Sequence, residues 1–366
     1  MYKILAVDYA NMLHRAYWST KGSDVPGLSI FRFAQSLHVA MRNSECNNLL
    51  LAGESFSVLH RKKLDPSYKS NRTKAAIDPL FLKFRTCLYK MLVKLNLDII
   101  HYPGFEGDDI IGTMCERLCT NDDIYILSLD KDFYGLMRDN VKIVFPSSRK
   151  RGVYTNKDFL NDFGFYPSKY YIYKALLGDR SDNIVGVSGI GPVNAQRIML
   201  ECDNSDHSVI FSNIKQCLTS KEYKDFEHAL ELVRISNKVP PKAYKSYLEN
   251  KEVDKRNYRS AKKMFVMYYG EYMAEETINE FKKLFELNSL RSKVVDIIVK
   301  TTDIEKVLDK RPLDRILKQH TAGAIFTLTN RQDDLERFDR VRYILDEHGI
   351  RYATNSVGWT DDYIYW

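Results

Sequence analysis

The feature that most constrains this chain is an alternation in its first half. Short apolar runs, two of them closing on an aspartate, take turns with stretches of helical spacing. YKILAVD (2–8) ends on Asp8, and residues 28–43 then carry helical spacing. NNLLLAG (47–53) reads as a second buried strand, 77–95 as a helix, and LDIIHYP (97–103) as a third strand. DDIIGTMCERLC (108–119) is helical in pattern, DIYILSLD (123–130) is a fourth strand and VKIVF (141–145) a fifth. Near-continuous apolar strands are buried on both faces, and strands separated by helices pair in parallel. The expected fold class is therefore α/β, with a mostly parallel, doubly wound sheet. In such sheets ligands occupy the crevice at the carboxyl ends of the strands.

From about residue 156 the strand pattern stops. FLNDFGF, YPSKYYIYKALLGD, GPVNAQRIMLE and EYKDFEHALELVRISNKV read as helices joined by Gly-rich or polar segments. The last ~80 residues change again, with a helix over 303–319 and then strand–helix–strand in AIFTLT, DDLERFDRVRYILDEHG and IRYATNSVGW, and a final strand in DDYIYW. A length of 366 residues fits two or three domains. We expect an α/β core over 1–155, a helical domain over 156–287 and a small α/β extension over 288–366.

No apolar run approaches the ~18–20 residues of a membrane helix, and Lys3 and Asp8 bracket too short an apolar stretch for a secretory signal. The six cysteines form no CxxC and are expected as free thiols in a reducing compartment; Cys115 and Cys119 read as a helical core pair.

Carboxylates cluster where that crevice should lie. Asp8 ends the first strand, Glu106, Asp108 and Asp109 (GFEGDDI) follow the third, and Asp130 and Asp132 (LSLDKDF) follow the fourth. Asp179 and Asp182 (LLGDRSDN) lie in the helical part. Any one of them could simply cap a helix. As a set in one crevice they would repel one another, and a hard divalent cation with oxygen ligands relieves that repulsion. Two such ions ~4 Å apart can hold the attacking and leaving oxygens of a phosphodiester displacement.

The turn VSGIG opens the helix PVNAQRIML, and Gly189 and Gly191 would let backbone N–H groups approach a phosphate. Residues 61–76 hold six basic residues (Arg61, Lys62, Lys63, Lys69, Arg72, Lys74) against one acid; residues 238–263 hold nine against three, with tyrosines interleaved. Solvated helix faces also look like this, but within a net charge of +7 both are candidate phosphate-binding surfaces. No GxxxxGK[ST] points to an ATP-binding loop.

The combined pattern resembles the flap endonuclease / 5′–3′ exonuclease family, closest to the phage enzymes and the 5′-nuclease domain of bacterial DNA polymerase I. The carrying stretches are VDYANMLHRAY (7–17 with its preceding apolar run), HRKKLDPSYKSNR (60–72), GFEGDDIIGT (104–113), LSLDKDFYGL (127–136) and LLGDRSDNIVGVSGIG (176–191), in family order and over about residues 1–285. The resemblance implies a nuclease with two Mg²⁺ or Mn²⁺ ions, acting on DNA with a flap, nick or free 5′ end, with RNA primers in RNA–DNA hybrids as a further substrate. It implies metal-site roles for Asp8, Glu106, Asp108, Asp109, Asp130, Asp132, Asp179 and Asp182, with most weight on Asp108, Asp130 and Asp132. Lys69 and Arg72 match residues that contact the scissile phosphate, Tyr68 a residue that stacks on a base, and Arg61, Lys62 and Lys63 the DNA-binding start of a helical arch. Gly189 and Gly191 fall in a helix–three-turn–helix that holds duplex DNA with K⁺.

One departure concerns the chemistry. Seven residues before Arg61 the family has Asp, and this chain has Glu54, one methylene longer. If Glu54 fails as a ligand, the alternative is a structure-specific DNA-binding protein with weak or lost catalysis. Val185 stands where the family usually has Pro, in a turn. For 288–366 we recognise no counterpart; contact with a replication protein is one expected role. Bacterial cytoplasm or a phage-infected host cell is the expected location.

Overall fold

The computed structural model describes residues 3–55, 57, 59–72, 78–118, 122–146, 152–201, 207–244 and 256–287, and the strand backbones 297–300, 324–329, 353–354 and 361–365. The chain divides into two units, Met1–Tyr244 with Lys255–Ser289, and Lys245–Asp254 with Leu290–Trp366.

The first unit is built on six strands: β1 (Lys3–Asp8), β2 (Asn48–Ala52), β3 (Ile99–Ile100), β4 (Asp123–Leu127), β5 (Val141–Val144) and β6 (Val153–Tyr154). Their order is β3-β2-β1-β4-β5-β6, all pairs being parallel except β5 with β6. Leu5, Ala6 and Val7 are fully buried at the centre. The register sets Val7 opposite both Leu51 and Leu127. The chain leaves β1 in one direction for β2 and β3, and returns on the other side for β4. β1 and β4 therefore flank the point where strand order reverses, which is where open α/β sheets leave a crevice.

Between β1 and β2 run α1 (Tyr9–Trp18) and α2 (Leu28–Ser44). The buried residues of α2, Ile30, Phe33, Ala34, Leu37, Ala40 and Met41, recur at the three- and four-residue spacing of one helix face. Gly27, just before α2, has φ +74°, and a Cβ there would lie 2.3 Å from the Phe265 ring, so the position is reserved for glycine. After the short α3 (His60–Leu64) comes α4 (Pro79–Lys94), started by Asp78, whose side chain accepts from the Leu80 N–H, and by proline in its first turn. α5 (Gly107–Thr113) runs into a π-helical turn at Met114–Leu118, where the sequence had suggested one regular helix.

The second half contributes α6 (Asn156–Phe163), α7 (Tyr170–Leu177), α8 (Pro192–Glu201), α9 (His207–Cys217), α10 (Ser220–Val233), α11 (Tyr258–Tyr269) and α12 (Ala274–Leu287). Thr155 with Asp158 and Thr219 with Glu222 form capping boxes at the starts of α6 and α10. α12 packs on α2 and α11 on α4, which joins Phe265, Phe281 and Phe285 to the core of the sheet's helical layer. The expectation that strands end near 156 needs one correction. Gly178–Asp179 (β7) and Ile184–Val185 (β8) form a two-residue antiparallel ladder. Gly178 has φ +72°, and a Cβ on it would sit 2.3 Å from the Gly186 N, so the close return of the chain depends on these two glycines.

In the second unit, β9 (Ile297–Lys300) pairs in parallel with β10 (Ala324–Thr329), and β12 (Asp361–Tyr365) lies antiparallel between β10 and β11 (Ala353–Thr354). The strands expected at 324–329 and 361–366 are thus present. The helices expected over 303–319 and 333–349 lie outside the described residues, as do residues 245–255 of the basic stretch 238–263. Among the described residues, no helix is long and apolar enough to cross a membrane, and Cys46, Cys87, Cys115 and Cys217 are free thiols.

Candidate active site

Asp8 is the last residue of the central strand β1. It caps α1 by accepting from the Asn11 N–H at 3.1 Å, and it accepts from Ser128 Oγ at 2.9 Å. Burial pushes its carboxyl above the usual range, against the pull of these two donors. Ser128, one residue past β4, also accepts from the Asp130 N–H at 3.0 Å. It therefore ties together the loops that carry Asp8 and Asp130. Asp130 starts the 3₁₀ turn Lys131–Leu136 by accepting from the Asp132 N–H, and its side chain stays exposed. Capping and site roles coincide here, because one carboxylate oxygen satisfies the cap and the other remains.

Glu106, Asp108 and Asp109 sit at the start of α5, with Glu106 and Asp109 forming its capping box. Their surroundings differ sharply. Asp109 is fully buried and accepts from Arg61 Nη1 at 3.0 Å, Arg61 Nη2 at 2.8 Å and the Ser236 N–H at 2.8 Å. Glu106 accepts from Arg61 Nη1 at 2.6 Å, from the Tyr68 hydroxyl at 3.0 Å and from Lys69 Nζ. Asp108 keeps its side chain at the cleft, 25 % exposed and 3.8 Å from Arg61 Nη1. Burial and then the neighbouring Asp109 charge raise its carboxyl well above the ordinary value. It is the least neutralised acid of the three.

Arg61 was expected among the DNA-contacting residues. It is instead 1 % exposed, and beyond the two carboxylates it donates to the Leu232 and Arg234 carbonyls at 3.0 Å each. Every polar direction of the guanidinium is used inside the protein. Tyr68, expected to stack on a base, is 2 % exposed; its hydroxyl donates to Glu106 and, at 3.2 Å, to Asp182, and no ring face is open to a ligand. Lys62 and Lys63, on the same short helix as Arg61, are exposed.

Lys69 and Arg72 reach the acids from the segment after α3. Lys69 takes a left-handed backbone (φ 54°) and its N–H donates to the Asp182 carbonyl at 2.8 Å. Its ammonium meets Glu106 and lies 3.7 Å from Asp182. Burial acts to lower the lysine's pKa, but the two carboxylates prevail and raise it. Arg72, half exposed, pairs with Asp182. Residues 73–77, the continuation of the expected arch, lie outside the described residues.

A second acidic group joins Asp132, Asp179 and Asp182, each with a carboxylate oxygen within 4.8 Å of the others; Glu106, Asp108 and Asp109 form the other such group. Lys174 of α7 donates to both Asp132 and, at 2.8 Å, Asp179. Burial drives Asp132 up to about 6 despite Lys174. Asp179, though burial opposes it, is held down at about 2 by Lys174 and Ser181. Lys174 escaped the sequence reading; its signal was a single cation on the otherwise apolar helix YYIYKALL.

A cleft of about 670 Å³ opens at the strand-order reversal, lined by Asp8, Glu54, Glu106, Asp108 and Asp130 together with Lys69 and Arg72. Asp132, Asp179 and Asp182 do not line it. The exposed Glu54 stands on the cleft wall beside Asp8 and Asp108. The donor set fits divalent cations: it is all oxygen, gathered beyond the strand ends, and its members Asp8 and Asp108 are carboxylates that burial and neighbouring carboxylates make costly to ionise without added positive charge. Gly189, with φ +76°, and Gly191 face open space, leaving the backbone of that turn approachable.

Comparison with known proteins agrees with this architecture. Residues 3–164 match the family described as 5′–3′ exonuclease, N-terminal resolvase-like domain. The chain is 28% identical over 253 residues to a 5′–3′ exonuclease of Mycoplasmopsis pulmonis, covering 66% of this chain and 84% of the relative. It is 27% identical over 252 residues to the 5′–3′ exonuclease of Bacillus subtilis, covering 65% and 84%. Against DNA polymerase I of Synechocystis it is 29% identical over 262 residues, but there it spans only 26% of the relative's length. Its fold is that of the bacteriophage T5 D15 flap endonuclease, solved with DNA and metal ions (TM-score 0.52, 19% identity, 78% of this chain and 99% of that one). Flap endonuclease-1 from Methanococcus jannaschii shares it too (TM-score 0.51, 15% identity, 79% and 93%). Strand order, acidic crevice and relatives thus agree: residues 3–164 are similar to the 5′–3′ exonuclease N-terminal domain, and the chain shares the fold of the flap endonucleases.

Proposed function

We propose that this protein is a metal-dependent 5′ nuclease that hydrolyses DNA phosphodiesters near single-strand/duplex junctions, at flaps, nicks or free 5′ ends, and extends to RNA primers in RNA–DNA hybrids. The observation that carries the reading is the convergence of Asp8, Glu54, Glu106, Asp108 and Asp130 on one cleft with Lys69 and Arg72 on its wall. Asp8, Asp108 and Asp130, with Glu54, would hold one Mg²⁺ or Mn²⁺, and Asp132, Asp179 and Asp182 a second. Such ions polarise a phosphate oxygen and lower the pKa of water.

The chain's own residues do the rest. Lys69 and Arg72 supply the positive charge that matches the charge growing on the phosphate during displacement. Because both are held by Glu106 and Asp182, they arrive at the phosphate pre-aimed from the acid side of the cleft. Arg61 and Tyr68 orient Glu106 and Asp109, so these two acids act as the frame of the site. Lys62 and Lys63 contribute exposed charge for the DNA backbone. The open turn at Gly189 and Gly191 offers N–H groups to a duplex phosphate and carbonyls to a K⁺ ion. We assign 1–155 to the nuclease core, 156–287 to DNA holding and 288–366 to contact with a replication partner, in a bacterial cytoplasm or a phage-infected cell.

The deciding experiment is cleavage of a 5′-labelled DNA flap, with a matched RNA flap, with and without Mg²⁺, beside Asp130→Ala. Metal-dependent cutting that the variant loses supports the reading. The competing reading, a DNA-binding protein without catalysis, rests on Glu54 at the cleft wall. Tight flap binding without cutting in Mg²⁺ or Mn²⁺, with cutting gained in Glu54→Asp, would replace ours.

A further inference from the structure

The two acidic groups differ in what neutralises them. In the first, Arg61 and Lys69 are bonded to Glu106 and Asp109, while Asp108 faces the cleft beside Asp8 and Asp130 with no cation hydrogen-bonded to it. The second is set off the cleft and already contains a cation, the ammonium of Lys174. That ammonium is 13% exposed and bonded to two of the three carboxylates, Asp132 and Asp179. The third, Asp182, is taken by Tyr68 and Arg72. An ammonium bonded to two carboxylates and a divalent ion bonded to the same two are competitors, because their like charges would sit within a few ångströms of each other. The lysine is attached to a packed helix by a flexible four-carbon stem, so the head can leave while α7 stays in place.

From this we propose that Lys174 is the resident counter-ion of the second acidic group, which a divalent ion must displace from Asp132 or Asp179. The two ions then bind with unequal affinity, the cleft ion first and tightly, the second only as Lys174 withdraws. The proposal deepens the metal-nuclease reading and rests on it. Occupancy of the second group would rise steeply with metal concentration while the first was already filled.

The test is Mn²⁺ titration of the full chain by electron paramagnetic resonance and calorimetry, for wild type, Lys174→Met and Lys174→Arg. We expect two classes of ion in wild type, with Lys174→Met tightening the weaker class roughly tenfold or more and leaving the tighter one alone. Lys174→Arg keeps the charge and should keep the weak class weak. In parallel, wild-type Lys174 should be acetylated slowly in EDTA and several-fold faster in excess Mn²⁺, read by mass spectrometry; this arm requires no variant to fold. An unchanged or weakened second class in folded Lys174→Met, or labelling indifferent to Mn²⁺, overturns the proposal. Wild type that binds no Mn²⁺ overturns the metal-nuclease reading itself, which separates the two failures.

Discussion

Arg61 offers the sharpest test of how this site is held. Its guanidinium makes five hydrogen bonds, three to the buried carboxylates of Glu106 and Asp109 and two to the Leu232 and Arg234 carbonyls. Replacing it by Met keeps much of the apolar stem and removes every donor. Asp109 is then fully buried with no cationic partner in hydrogen-bond reach, and Glu106 keeps Tyr68 and Lys69. Breaking a buried ion pair by deleting one partner costs about 3–5 kcal/mol, and each orphaned buried carbonyl adds to that. Against a typical total of about 5–15 kcal/mol, this is about a fifth or more of the stability. Arg61→Met should therefore lower the unfolding free energy by about 3–5 kcal/mol in urea titration, and the thermal midpoint by roughly 6–15 °C. The measurement belongs in EDTA, so that metal binding does not shift the native state. Lys62→Met, one residue on and exposed, is the control and should stay within about 0.5 kcal/mol. Adding Asp109→Leu to Arg61→Met should recover a sizeable part of the loss, since no unpaired charge then remains at that position. A loss below about 1 kcal/mol in Arg61→Met, or a double variant worse than additive, would refute the argument.

Other expectations follow from the same geometry. Asp8, Asp108 and Asp132 all have folded-state pKa values raised above those of the unfolded chain, so the folded form takes up protons more readily and gains stability as pH falls through those values; His14, held low by burial, opposes this below about 6.5. In EDTA the thermal midpoint of wild type should gain on that of Asp132→Asn as pH drops through about 6, and a constant difference across that range would contradict the assignment. Asp179, depressed to about 2, contributes in the opposite sense: its stabilisation is present above about pH 4 and lost as pH falls toward 2, which acid unfolding of Asp179→Asn against wild type would show as a shallower transition. Gly178→Ala combines a positive φ with a Cβ placed 2.3 Å from the Gly186 N; it should cost more than 2 kcal/mol or so by denaturant titration, whereas Gly191→Ala, which meets open space, should cost under about 1. If Lys62 and Lys63 face the DNA backbone, their double Ala variant should weaken flap binding alike for all sequences and reduce the log–log salt slope by up to about 2, measured by fluorescence anisotropy.

The parts of this molecule that were readable in advance are those set by local pattern. β1, β2, β4 and β5 showed themselves because a strand buried on both faces has to be a short unbroken apolar run, as ILAV and NLLLA are. Asp8 and Asp130 followed because they terminate such runs. Arg61 did not, because RKK in a basic stretch looks like a solvated face, and its burial depends on carbonyls 171 and 173 residues further along. Tyr68 was misplaced for the same reason: its hydroxyl partner Asp182 is 114 residues away. Lys174 gave no cue beyond its helix, since the cation matters only once the 3₁₀ turn brings Asp132 alongside. The ladder of β7 and β8 is too short for any periodicity to betray, and depends on a glycine–glycine approach that composition does not encode.

The reach of Arg61 also bears on how the chain can be cut and in what order it completes itself. The matched family domain stops at residue 164, yet Arg61 and Asp109 find donors and acceptors on Leu232, Arg234 and Ser236. A fragment ending with that domain would hold its acidic frame together with the carbonyl half of the clasp missing, and Gly112 would lose the Ile235 and Ser236 neighbours that cover it. During synthesis, the clasp cannot close until the segment after α10 has emerged. The matched stretch is thus not a detachable module: its last fastening is supplied from some seventy residues beyond its apparent end.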